Sequence, residues 1–446
     1  MSMFERLDGI TRALIKVPFF DFDRLSFSFT QTNTTRNSGT VGGSGVINFW
    51  KGVVFIPSSP ESGPSATYQL GLITDPHGSL IMKSKGTFPF VDFETVPGLR
   101  APLGNFVDNY SQSNRAGIRT SRPLWEGARI DINWSVGWTY NSNRTISTDS
   151  LGYPQERSKV ISGDIDRSFL TFPPGFVFSF FKTGIVEVNK AYEKALFDAS
   201  DPRSKNEKLS TAFAEGMEAL PLFTKIIGSL WPRPNWTFRW DGLEKLPLFG
   251  LLAQRVSLDH SYTSTFRQRW KNTPAGGQVT ESEQVSYGFA PLIGLTFSFK
   301  PLGKGTFGAS FRLSNTSSFD LTPSQLSIIQ SNTTDISLTA NYQRQGFEIP
   351  FFGLSLSNDI DISFSYSVSD NQRVIYDFKK EFQKDGEPLE GTVRTLMEPR
   401  IRYILSSRVT ASIYYRYTRL KPGDGGSRIA GSTVNEGGLD VRVSIQ

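Results

Sequence analysis

The sequence predicts an all-β chain: an antiparallel transmembrane β-barrel wall segment, incomplete and not self-closing, with a small helical insert. Three observations predict it. From Gln284 to the C-terminus, apolar and polar side chains alternate with a period of two; the alternating stretches run roughly twice the length of an ordinary soluble strand; and turn residues punctuate them. Successive strand side chains point to opposite faces, so such a strand carries one greasy and one wet face. That suits a sheet separating lipid from water.

The alternation is legible residue by residue. Ile360, Ile362, Phe364, Tyr366 and Val368 fall in one phase, and Asp359, Asp361, Ser363, Ser365 and Ser367 in the other. Val409, Ala411, Ile413, Tyr415 and Tyr417 oppose Thr410, Ser412, Tyr414, Arg416 and Thr418, and Leu439, Val441 and Val443 oppose Asp440, Arg442 and Ser444. The same pattern recurs over Ile336–Tyr342 and Val256–Trp270. The lipid-facing set is therefore expected to include Ile360, Ile362, Phe364, Tyr366, Val409, Ile413, Tyr415, Tyr417, Val441 and Val443. The lumen-facing set is expected to include Asp359, Asp361, Ser363, Arg400, Arg402, Ser412, Arg416 and Arg442, charges of the kind that tune what passes a pore. A soluble antiparallel sandwich also puts one face on a core and one in water. Strand length weighs against it.

Composition narrows the class. The 446 residues could form two or three soluble domains, yet the chain does not read as divided. Hydrophobic residues make up 38% and aromatic residues 13%, with 36 Phe against 5 Met, a balance suited to strands and interfacial aromatic girdles. Mean hydropathy is −0.27, which a barrel tolerates because its inner face is polar. The longest apolar runs, such as Phe176–Phe181 and Leu246–Ala253, fall far short of the roughly 20 residues a spanning helix needs. A net charge of +6 without a dense basic cluster hints at outer-membrane lipid head groups as partners and gives no indication of nucleic acid. With no Cys, disulfides and thiolate chemistry are out of reach.

The segment Met1–Phe20 carries Glu5, Arg6, Asp8, Arg12 and Lys16 among its apolar residues, unlike the uninterrupted apolar core of a secretory signal. The expectation is therefore that the chain as written lacks its own signal peptide and is a fragment, the back end of a longer polypeptide. Early strands are predicted at Arg24–Thr35, Thr67–Ile73, Arg115–Ser121 and Ala128–Asn141. Helix-favouring residues follow from Asn189, with Leu209, Phe213, Met217 and Leu220 at three-to-four spacing, which predicts two short helices. The expected organisation is a β-rich wall segment with long loops over 1–188, the insert over 189–230, and the C-terminal wall over 231–446. The insert reads equally as a plug or rim element and as an ordinary surface insertion.

A short module recurs as KVPFFDF (Lys16–Phe22), KLPLFGL (Lys245–Leu251) and EIPFFGL (Glu348–Leu354), each shortly before an alternating strand. Proline fits the start of a strand because its missing N–H breaks no ladder bond there. Short turns are expected at Lys300–Gly305, Ser369–Gln372 and Leu405–Arg408, and long loops at Phe382–Thr392 and Arg419–Glu436. If Ser324–Gln330 is a strand that turns tightly at Ser331–Thr334, about nine strands follow Glu283, and the last ends on the short-turn side, which in bacterial barrels is the periplasm.

Candidate chemistry is sparse. His77 and His260 have no H-x-x-x-H or H-E-x-x-H company, so no metal site is expected. Gly303-Lys304-Gly305-Thr306-Phe307-Gly308 matches G-x-G-x-x-G, but no helix opens after it and a glycine-rich hairpin explains it. Asp359 and Asp361 share a face, roughly 7 Å apart by strand geometry, and a polar lumen accounts for them without catalysis. No catalytic residue and no cofactor are expected, and an enzyme is the least favoured class.

Longer words of the sequence carry a resemblance. LWPRPNWTFRWDGLEKLPLF and RVSLDHSYTSTF (within Leu230–Phe266), FAPLIG (Phe289–Gly294), RPLWEGARIDINWSVGW (Arg122–Trp138) and SQLSIIQSN (Ser324–Asn332) resemble the SprA family of gliding-motility and type IX secretion translocons, in its C-terminal portion. That resemblance implies a giant outer-membrane barrel passing folded cargo proteins from periplasm to surface, with a lateral opening, a PorV-type accessory barrel and a periplasmic plug protein as partners. The final Gln446 departs from the aromatic end of many barrels. The rival readings are another outer-membrane barrel, such as a porin or lipid-export channel, and a soluble β-rich adhesin or binding protein.

Overall fold

The computed structural model describes residues 25–42, 66–69, 80–84, 91–95, 99–171, 183–219, 233–273, 277–351, 354–406, 408–423 and 430–444. In chain order the elements are β1 (Leu25–Arg36), the one-turn helix α1 (Ala66–Gln69), β2 (Leu80–Ser84), β3 (Val91–Thr95), β4 (Asn105–Trp125), β5 (Ala128–Thr148) and β6 (Pro154–Ser168). The helices α2 (Ile185–Phe197) and α3 (Lys205–Met217) follow, then β7 (Asn235–Asp241), the one-turn helix α4 (Pro247–Gly250) and β8 (Ala253–Asn272). The remaining strands are β9 (Gln278–Phe299), β10 (Gly305–Thr322), β11 (Ser327–Phe351), β12 (Leu354–Asp377), β13 (Glu387–Ile404), β14 (Val409–Pro422) and β15 (Ser432–Val443).

Thirteen strands form one antiparallel sheet in the order β1-β4-β5-β6-β8-β9-β10-β11-β12-β13-β14-β15, with β7 pairing both β5 and β8, while β2 and β3 form a separate ribbon. The all-β antiparallel wall expected from the sequence is thus the observed fold. The 25 residues of β11 span about 80 Å at roughly 3.3 Å per residue, far beyond the 9–11 residues a strand needs to cross a bilayer.

The rims differ. Residues 126–127, 300–304, 352–353 and 405–408 join strands at one end, where 242–252 is the one long connection among the described residues, whereas 149–153, 273–277, 323–326, 378–386 and 423–431 join them at the other. The last strand ends at the short-turn rim, as expected. Gly303, at φ 65° in the β9–β10 turn, adopts a left-handed conformation, so the G-x-G-x-x-G match belongs to a hairpin.

Several expectations need correction. The stretches Ser331–Thr334 and Ser369–Gln372 are not turns: they pair with each other inside β11 and β12, Ser331 against Arg373 and Asp335 against Ser369. Seven strands therefore run from the one that contains Glu283 to β15, not nine after it. The strand placed at Thr67–Ile73 is helical over Ala66–Gln69, and 70–73 lie outside the described residues, as do His77 and the KVPFFDF module. The strands placed at Arg115–Ser121 and Ala128–Asn141 are the middle of β4 and the first part of β5, and the first helix of the insert begins earlier than read, at Ile185.

Strands β6 and β7 occupy one slot between β5 and β8. Strand β6 pairs with β5 over Val136–Thr148 and with β8 over Thr265–Lys271; β7 pairs with β5 over Ala128–Asn133 and with β8 over Ser257–Tyr262. The chain leaves the wall after Ser168, forms the helical insert and rejoins it at Asn235. In the insert, α3 opens with a capping box: the Glu207 N–H donates to the Ser204 hydroxyl, and the Ser204 N–H donates to the Glu207 carboxylate. Leu209, Phe213 and Met217 are fully buried, as their spacing predicted, and pack with Phe169, Ile185, Val188 and Tyr192 onto Phe266, Val285, Phe319, Leu321, Ile328 and Tyr376 of the sheet. Gly216 is required at the helix crossing, where a Cβ would lie 2.4 Å from the Val188 nitrogen.

Candidate functional site

Cross-strand register sorts the wall into two faces. Asp361 stands opposite Arg402, Ser363 opposite Arg400, and Ser412 lies between Arg402 and Asp440, with Arg416 opposite Glu436 and Arg442 opposite Thr410. Alternation adds Asp359, so the whole set expected on the polar face lies on one face. The other set shares the opposite face: Ile362 pairs with Ile401, Ile401 with Ile413, Ile413 with Leu439, and Val409 with Val443, with Ile360, Phe364, Tyr366, Tyr415, Tyr417 and Val441 in phase. Ile362 is 40%, Ile401 47% and Ile413 61% exposed, whereas Ile360 is buried against the β11–β12 end.

The polar face is rich in hydroxyls. One register row reads Thr296, Ser310, Thr339, Ser365 and Glu398 across five strands, with 2.6 Å between the hydroxyls of Ser310 and Thr339. Several of its charges are paired with one another. The Glu398 carboxylate accepts from Arg400 at 2.9 Å and Arg416 at 2.8 Å, Arg416 also reaches Glu436 at 3.4 Å, and Arg402 approaches Asp361 at 3.9 Å. Glu398, Arg416 and Glu436, with Arg394, Leu396, Thr418 and Val434, border a recess of about 390 Å³.

The apolar face changes character along the strands, and it does so in register. Phe307, Ala309, Phe311 and Leu313 of β10 lie beside Tyr342, Ala340, Leu338 and Ile336 of β11 and Ile362, Phe364, Tyr366 and Val368 of β12. The next in-phase positions are polar: Asn315, Thr334 and Asp370, then Ser317, Asn332 and Gln372. The apolar belt therefore lies toward the short-turn rim. From Ile360 to Val368 it covers roughly 26 Å of strand, or about 20 Å of height at a usual tilt near 40°. Trp125 and Trp240 lie within it at that rim, 5.3 Å apart. His260, in the same phase, has Nδ1 2.8 Å from the Leu292 carbonyl and its ring 5.5 Å from Phe289, a packed position.

Beyond the polar zone the same face meets the insert, and the gap in the β6–β7 slot is sealed there. The Ser135 N–H, facing the gap from β5, donates to the Ser168 hydroxyl at 2.9 Å; the Ser264 N–H, facing it from β8, donates to the Asn235 side-chain carbonyl at 2.8 Å. Side chains thus replace the missing strand at the positions where backbone donors would stand unpaired. Beside the seam, Arg233 and Glu218 form a buried ion pair. Arg167 lies 4.9 Å over the Phe266 ring and 5.2 Å over Phe169, and burial lowers its pKa to about 10, so it stays charged at neutral pH.

Glu283 is buried under α3 in the polar-to-insert part of β9, outside the belt. One carboxylate oxygen accepts from the Ser210 hydroxyl at 2.8 Å and the Gln268 amide at 2.6 Å; the other has no hydrogen-bond partner. Burial pushes its pKa up to about 7, against the pull of these donors and of Arg167. The folded chain therefore holds this proton where an unfolded chain, at 4.5, has lost it. Docking is strongest below pH 4.5 and weakens as pH rises through 7, by on the order of 3 kcal/mol. Protease protection of the insert is expected to fall between pH 5 and 8, and Glu283→Gln is expected to flatten that profile. Sequence reading passed over this group, although a carboxylate in phase with Val285, Tyr287 and Phe289 was a visible signal.

No family model and no curated protein matches the sequence. Among solved structures the chain is similar to OmpT, an outer membrane protein of Vibrio cholerae. A loop L8 deletion mutant has 9% identity and a TM-score of 0.19, covering 76% of this chain and 94% of that one. The in-vitro folded trimer form has 8% identity and a TM-score of 0.18, covering 95% and 99%. Scores of this size do not establish a shared fold. The class rests on the wall itself: long antiparallel strands, two chemically distinct faces and unequal rims define an outer-membrane type of β-wall. One expectation is corrected. The lack of local motifs does not exclude an enzyme, because the fold gathers Glu283, Ser210 and Arg167 from distant segments. The exclusion of catalysis is withdrawn.

Proposed function

We propose that this chain is part of the wall of a wide outer-membrane channel that conducts protein cargo from the periplasm to the cell surface, of the gliding-motility and type IX secretion kind. The observation that carries this reading is the asymmetry of the two faces. One is polar and hydroxyl-rich, with Glu398, Arg400, Arg416 and Glu436 paired among themselves, and the other exposes an apolar belt near bilayer height, its further apolar patch being covered by the insert. A wall of that kind supports passage of large hydrated cargo without strong charge selection. Thirteen strands whose first and last members, among the described residues, do not pair support a perimeter larger than this sheet. The motif resemblance supplies the partners: secreted cargo, a PorV-type accessory barrel and a plug protein.

Cross-linking in the producing cell tests it. A photo-reactive residue at Ser310, on the polar face, is expected to form adducts with secreted proteins during active secretion, and one at Phe311, on the belt, is not. Absence of protein adducts from Ser310, with loss of small-solute uptake on deletion, would instead establish a porin. Recovery of the chain without detergent would establish a soluble adhesin.

A further inference from the structure

We propose that the turn over residues 242–252 is an interfacial anchor, seated in the headgroup-to-acyl boundary of the leaflet on the short-turn side with Leu246, Leu248, Leu251 and Leu252 buried in lipid. The inference rests on the membrane reading above and extends it to a specific surface.

The turn folds back over the apolar face, not the polar one. Leu243 and Phe249 pack against Val256, Leu258, Leu295, Phe297 and Trp240, all in the belt phase. With that inner side satisfied, the outer side presents four leucines to the surroundings: Leu246 is 41%, Leu248 74%, Leu251 77% and Leu252 67% exposed. Four leucines in seven residues, pointing outward on an already packed turn, are costly in water and favourable in lipid.

Three further observations select lipid over a protein partner. The leucines continue the belt: the turn leads directly into Val256 and Leu258, and Trp125, 51% exposed, lies beside Trp240 at the same level, as interfacial aromatics do. The turn lies over belt residues Val256, Leu258, Leu295 and Phe297, so its outward leucines replace the apolar surface that it covers there. Finally, the module recurs. KVPFFDF, KLPLFGL and EIPFFGL precede β1, β8 and β12, which all run away from the short-turn rim. These three strands are spread across the sheet and all start toward the same rim, an arrangement that suits a membrane plane better than one docked protein. Lys245, paired with Glu126 at 2.5 Å and 62% exposed, places charge at the turn, where a headgroup layer would receive it.

The chain has no Cys, so single-cysteine variants report one site each. The full chain, reconstituted in phosphatidylcholine vesicles, would carry an environment-sensitive fluorophore at Leu248→Cys, at Ile362→Cys as the belt reference and at Ser310→Cys as the water reference. Lipids brominated near the glycerol or deep in the chains, and aqueous iodide, serve as quenchers. The expected result is at least twofold quenching of the position-248 label by shallow bromines and little by iodide, with position 362 quenched by deep bromines and position 310 by iodide. Iodide quenching at 248 with bromine quenching at 362 would overturn the anchor and leave the membrane reading standing. Iodide quenching at both would overturn the membrane reading itself. Protection of 248 from both quenchers would assign the leucines to a protein contact and overturn the anchor.

Discussion

Phe364→Arg is expected to cost the bilayer-inserted chain about 2–4 kcal/mol, while Ser365→Arg, one residue along the same strand, changes stability by less than about 1 kcal/mol. Phe364 sits midway along the belt of β12, between Ala340 and Pro399 on the apolar face, so a guanidinium there lies near the middle of the hydrocarbon layer. Ser365 faces the other way, opposite Thr339 and Glu398, where an arginine meets water and a carboxylate. Urea titration of folding into lipid vesicles reads the difference directly. Because the two sites share strand, depth and adjacent strands and differ in the face they present, the comparison isolates the medium each side chain meets. Equal destabilisation by both substitutions would mean that both faces meet the same medium, and the soluble sandwich reading would return.

The parity of the strands was legible because it depends on one number, the period of two. The residues of the Asp361 phase share one face and those of the Ile362 phase the other, and the Leu209–Phe213–Met217 spacing located α3 by the helical period in the same way. The boundaries failed where a second signal overlay the first. Residues 331–334 and 369–372 read as turns because both phases are polar there. In the structure they mark the level where β11 and β12 leave the apolar belt, so Thr334 and Asp370 replace Ile336 and Val368 on a face that water reaches. Within a long strand, loss of alternation signals a change of solvent as readily as a change of direction. Composition alone does not separate the two.

The seam and its buried groups were illegible for another reason. The Ser210–Glu283 hydrogen bond joins residues 73 positions apart, and the Ser135–Ser168 and Ser264–Asn235 contacts exist only because the slot shared by β6 and β7 is interrupted. No local pattern encodes such contacts. What the sequence did offer was Glu283 itself, an ionisable side chain in an apolar phase, where a compensating donor set had to be supplied by some other element.

Phe213→Ala is expected to undock the helical insert, with a loss of about 3–5 kcal/mol, and to leave the sheet intact. Phe213 is fully buried in the cluster with Phe169, Val188, Val285 and Phe319, so truncation opens a cavity between α3, α2 and strands β9 and β10. Phe197, at the end of α2, is 87% exposed, and its replacement by alanine is the matched control. Limited proteolysis should cleave the Phe213→Ala variant within 183–219 at protein concentrations and times that leave wild type and Phe197→Ala uncut. The infrared β-sheet signature should be unchanged in all three. The contrast follows from how the two parts are held: the strands satisfy one another's backbone groups in ladders up to 23 register pairs long, whereas α2 and α3 satisfy their own and depend on side-chain burial for their position. A variant in which sheet and insert were lost together would show instead that the insert is part of the folding core of the wall, and that the gap left by β6 and β7 cannot be spanned without it.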